Sequence, residues 1–95
     1  MKSAATYSLV WTDTFVRTAR KFLQKHPDLH KTFREVLEQL AADPKTPSLR
    51  LHALSGNLKG KQAVRLTYAY RIILVVLITA REIVLLDIGS HDDVS

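Results

Sequence analysis

The sequence predicts an α+β domain ordered β-α-α-β-β-β, with an N-terminal helical hairpin packed on one face of an antiparallel sheet. Two patterns carry that reading. Between Phe15 and Leu40 apolar residues recur at helical spacing, while from Gln62 to Ile88 they alternate or run together with high β-branched content. Asp43-Pro44 and Lys59-Gly60-Lys61 punctuate the two halves. A length of 95 residues suits one modest core, so residues 1–95 are read as a single domain.

Tyr7 to Trp11 reads as a short strand with bulky side chains at alternate positions. Thr12 or Asp13 can cap the following helix, since either side-chain oxygen can accept a free amide of the first turn. Phe15, Ala19, Phe22 and Leu23 then form one apolar face, with Arg17, Arg20, Lys21 and Lys25 on others. Lys25-His26-Pro27-Asp28 breaks the pattern, and a second helix is expected to start at or near Pro27. Its apolar face is Leu29, Phe33, Val36, Leu37 and Leu40. Phe22, Phe33 and Leu37 must cover something, and the strands offer the only other large apolar surface. His26 and His30 sit at the hairpin tip and on its polar side, with no third metal ligand nearby.

Residues 45–58 read as a mostly polar loop in which Leu51 and Leu54 anchor a single turn and hold His52 outward. Gln62 to Tyr68 alternates faces. Tyr70 to Ile78 is apolar on both faces except at Arg71, the mark of a strand buried on both sides. Thr79-Ala80-Arg81-Glu82 is short enough for a hairpin turn into Ile83 to Ile88, after which the chain is polar. The first strand is expected at a sheet edge, and the face away from the helices is expected to be open.

Charge is distributed unevenly. The net charge is +5, yet the window from Lys45 to Arg81 holds seven Lys or Arg and none of the nine acids. Such a segment attracts polyanions, either nucleic acid or an acidic protein, although a merely solvated basic surface would look the same. The chain has no cysteine, which excludes disulfides and thiolate metal sites and fits a reducing cytoplasm. The longest uninterrupted apolar run, Ile72 to Ile78, is too short to span a bilayer, and the first residues lack a secretory hydrophobic region. A cytoplasmic protein with no membrane partner is expected.

The segments "LHALSGNLKGK", "YRI" at the start of the central strand and the terminal "IGSHDDV", in this order with these elements, resemble the RelE/ParE superfamily of toxins. The similarity runs from Tyr7 to the end and is nearest to the YafQ-like and RelE-like branch. That resemblance implies an mRNA interferase that cuts messages in the ribosomal A site, needs no metal or organic cofactor, and is held inactive by a cognate acidic antitoxin. It also implies roles for particular residues. His91 falls on the catalytic histidine of the terminal "G-[ST]-H" segment, and His52 on the active-site histidine of "H-x-L-x-G". Arg71 matches the arginine that contacts the scissile phosphate, and Arg65 a basic position on the preceding strand. Arg50, Lys59 and Lys61, from the acid-free window, are candidate RNA contacts. The chain departs from the family pattern at Ala63 and Ala69, and at Ser95, where many relatives carry a terminal aromatic that can stack on a base.

The chemistry agrees with these residue types. Cleavage through the ribose 2′-hydroxyl needs a base, an acid for the leaving 5′-oxygen, and cations for the charge growing on the phosphorane. Histidine, with a reference pKa of about 6.5, can take either proton role, and arginine offers a fork of donors matched to phosphate oxygens. Each residue also has a plainer reading: His91 solvated, His52 capping a loop, Arg65 on a surface, Arg71 bridged to Asp87. Two other functions share the fold, a ParE-like DNA gyrase inhibitor and a degenerate toxin that only binds its antitoxin.

Overall fold

The computed structural model describes residues 6–90. It contains β1 (Ser8–Trp11), α1 (Asp13–Lys25), α2 (His30–Ala42), β2 (His52–Ala53), β3 (Gln62–Arg65), β4 (Tyr70–Leu77) and β5 (Glu82–Ser90). Thr12 is the cap of α1, its hydroxyl accepting from the Phe15 amide at 3.2 Å. The same hydroxyl donates to the Leu85 carbonyl at 2.7 Å, so one side chain both starts the helix and ties it to the sheet. At Pro27 the chain first makes a 3-10 turn, Pro27–Leu29, and α2 begins only at His30.

The five strands lie in the order β1-β5-β4-β3-β2. Two features depart from the sequence expectation. The strand β2 pairs antiparallel with β3 inside what reads as a loop, since two residues are too few to show a period. The strand β1 lies at one edge, as expected, but runs parallel to β5. A helical hairpin rather than a tight turn separates β1 from the rest of the sheet, so nothing local forces it antiparallel. The amides of Thr6 and Tyr7 both donate to Ala41 O at 2.9 Å, joining the start of β1 to the end of α2.

One face of the sheet carries the main core. Val64, Leu66, Ile72, Leu74, Ile83, Leu85 and Ile88 meet Phe15, Ala19, Phe22, Phe33, Val36, Leu37 and Leu40 of the two helices. In β5 the core face passes from odd positions (Ile83, Leu85) to an even one (Ile88), and a bulge explains the change. Ile73 pairs with Asp87 but Leu74 with Leu85, leaving Leu86 as the extra residue. The opposite face is not bare: Ala63 and Ile73 form a small second cluster with Leu54 and Leu86. Leu51 and Leu54 thus anchor their segment on different faces, and the fully buried anchor of the preceding turn is Leu49. Because Leu37 is buried in the main cluster, Leu37→Ala should cost about 2–5 kcal/mol of stability, read as a lower midpoint in urea unfolding.

Candidate active site

Register builds the site. In an antiparallel pair, directly opposed residues share a face and successive residues alternate. Arg65 lies opposite Arg71 and Arg71 opposite Gly89, making one row across β3, β4 and β5. The next row on the same face is His52, Ala63, Ile73 and Asp87. Val64 and Ile72, between the rows, point into the helical core. The face opposite the helices therefore gathers one histidine and two arginines from three strands.

These side chains line a cleft of about 570 Å³ with Arg50, Leu51, Tyr68 and Tyr70. Among the described residues, no acid lines it. A smaller recess of about 310 Å³, on Ala53, Leu54, Ser55 and Leu58, shares His52 and Arg71 with it. Arg71 is only 7% exposed, although arginine is seldom buried. Arg65 and His52 are exposed. Arg65 and Arg71 occupy directly opposed positions on adjacent strands, where like charges oppose folding. Gly89 completes the row and is buried. The register puts Gly89, rather than Asp87, across from Arg71. Asp87 stands opposite Ile73, diagonally across from Arg71 on the same face, and its carboxylate accepts from the Ile88 amide at 2.8 Å.

His52 Nδ1 lies 2.8 Å from the Arg50 carbonyl oxygen. Lys59 and Lys61 flank Gly60 just before β3 and are not among the cleft residues; Lys61 is about 13 Å along the strand from Arg65. The remaining described histidines lie elsewhere. His30 is exposed, and the His26 ring packs against Phe22 and Tyr70 at 4.6 and 4.9 Å between centroids. Among the described residues no group of three or more metal-ligating side chains comes together. His91 lies outside the described residues. The last residue before it, Ser90, pairs with Tyr70 of the cleft.

Tyr68 is the cleft residue that the sequence pattern misassigns. Alternation extends the strand to Tyr68, but β3 stops at Arg65, and Thr67 and Tyr70 exchange backbone hydrogen bonds at 3.2 and 3.3 Å around a tight turn. The turn leaves Tyr68 84% exposed at the cleft. The signal available in the sequence was a bulky aromatic beside a basic strand.

No curated protein sequence matches the chain. Several solved structures share its fold. A metal-bound toxin from Helicobacter pylori superposes with a TM-score of 0.77 at 21% identity, covering 94% of this chain and 99% of that one. YafQ from Escherichia coli strain BL21(DE3) gives 0.75 at 13% identity, covering 92% and 96%. In the E. coli DinJ-YafQ toxin-antitoxin complex the match is 0.71 at 15% identity, covering 94% and 97%. Residues 7–95 match the family described as "Bacterial toxin of type II toxin-antitoxin system, YafQ". With nearly the whole chain matched, the protein belongs to the YafQ family of bacterial toxins.

Proposed function

We propose that this protein is a ribosome-dependent mRNA endonuclease, the toxin of a type II pair, which cuts translated messages through the ribose 2′-hydroxyl without a metal ion. The observation that carries the reading is the convergence of His52, Arg65 and Arg71 on one cleft large enough for a nucleotide. A base removes the 2′-hydroxyl proton as the 2′-oxygen attacks phosphorus. The bond from phosphorus to the 5′-oxygen breaks, and that oxygen takes a proton from an acid. The products are a 2′,3′-cyclic phosphate and a free 5′-hydroxyl. His52 and His91 carry the two protons, Arg71 and Arg65 hold the phosphate and its growing charge, and Arg50 binds the RNA backbone beside them. Lys59 and Lys61 contact RNA farther from the reacting bond. Tyr68 supplies the exposed aromatic that Ser95 does not, as a surface for a base.

The physiological partners are the ribosome with its message and an antitoxin protein, the second of these being the kind of partner present in the E. coli DinJ-YafQ toxin-antitoxin complex. The seven cations of the Lys45 to Arg81 window favour an acidic antitoxin segment. Neither gyrase inhibition nor antitoxin binding alone calls for a histidine and two arginines in one cleft. Primer extension on messages from cells expressing the protein tests the reading. Cuts at fixed positions within translated codons are expected; intact messages with arrested replication would overturn it.

A further inference from the structure

We infer that Arg50 positions His52 through its main chain, fixing the imidazole as the Nδ1–H tautomer and making Nε2 the proton-accepting atom of the site. The inference rests on the proposed part of His52 in RNA cleavage and goes further by giving His52 the base role. Arg50 has φ 52 and ψ 47, a left-handed conformation that residues with a β-carbon avoid. The chain around it leaves little choice. Its amide donates to Pro47 O at 3.1 Å, closing the 3-10 turn Pro47–Leu49, and Leu49 is fully buried. Two residues after Arg50, His52 is already paired with Ala63 in the sheet. Only Arg50 and Leu51 separate a turn fixed in the core from a strand fixed in register, and Arg50 takes the bend.

That bend leaves the Arg50 carbonyl oxygen 2.8 Å from His52 Nδ1. A carbonyl only accepts, so Nδ1 must carry a hydrogen whether the ring is neutral or charged. In the neutral ring the lone pair is then on Nε2, and the ring is oriented by a third group, as in other nucleophile–base pairs. The Arg50 side chain separately lines the cleft with its charge. The residue thus makes two separable contributions, one from its backbone and one from its guanidinium.

Arg50→Gly and Arg50→Val separate them, because both remove the guanidinium. Glycine takes a left-handed φ freely, whereas a β-branched residue resists it. Nitrogen-15 NMR of the full chain reads the His52 tautomer directly, and single-turnover cleavage on programmed ribosomes reads its use. The wild-type protein and Arg50→Gly should both show protonated Nδ1 and bare Nε2. Arg50→Val should move the ring toward the other tautomer and cleave roughly tenfold more slowly than Arg50→Gly. A wild-type spectrum with the proton on Nε2 would overturn the inference without any variant. Equal tautomers and equal rates for Arg50→Gly and Arg50→Val would also overturn it. If the tautomer follows the backbone as expected while His52→Ala still cleaves normally, the positioning stands and the base reading of His52 falls.

Discussion

The His52→Ala protein should cleave ribosome-bound message about 10²–10⁴-fold more slowly than the wild type, the loss that accompanies removal of a positioned proton carrier. It should fold normally, because the side chain is exposed and outside both apolar clusters. The unfolding free energy should therefore stay within about 0.5 kcal/mol of the wild-type value. The pH–rate profile should lose the limb that reports the base. His91→Ala should produce a defect of similar size on the other limb, if that residue is the acid. Pre-steady-state cleavage between mildly acidic and mildly alkaline pH checks both. Full activity in His52→Ala would remove this cleft from the chemistry, and full activity in His91→Ala would assign the leaving-group proton to another donor.

The elements legible in the sequence are those with a period. Phe15, Ala19, Phe22 and the Phe33 to Leu40 set announce two amphipathic helices, and both pack on the sheet as their spacing requires. The run from Tyr70 to Leu77 announces a central strand, and it lies between two neighbours. Features set by two or three residues did not announce themselves. The pairing of His52 and Ala53 depends on a partner strand far along the chain, and the parallel direction of β1 on the length of a helical excursion. The bulge at Leu86 looks in sequence like an unbroken apolar run, Ile83 to Leu86, and only the register reveals which residue is extra. The site was legible in part. Arg71 stands out as the one charge in an apolar strand, and the resemblance singled out Arg65 and His52. That Arg65 faces Arg71 follows from a turn of four residues between β3 and β4, and such a turn fixes register only once its hydrogen bonds are known. The left-handed bend at Arg50 has no signature, because arginine is not a residue that favours it.

The two opposed arginines should behave differently from the histidines and from each other. Arg71→Lys keeps the charge but loses the fork of donors, and Arg71→Met loses both while retaining an unbranched stem in the sheet. Cleavage should fall in that order, reaching about 10²–10³-fold for methionine, the range seen when one donor to a developing oxyanion is removed. The pH limbs should stay where they are, because arginine remains charged throughout and transfers no proton. Arg65→Ala should also slow cleavage, yet here stability should move the other way. Removing the exposed member of a directly opposed like-charge pair should raise the unfolding free energy by roughly 0.2–1 kcal/mol. Added inorganic phosphate offers the converse measurement. It should raise the melting temperature of the wild-type protein by binding only the folded cleft, and should do so less for either variant. An Arg65→Ala protein that is both less stable and fully active would mean that the pair is structural, with the phosphate held elsewhere. Reduced cleavage together with a gain in stability would identify the Arg65–Arg71 row as charge that opposes folding and serves RNA.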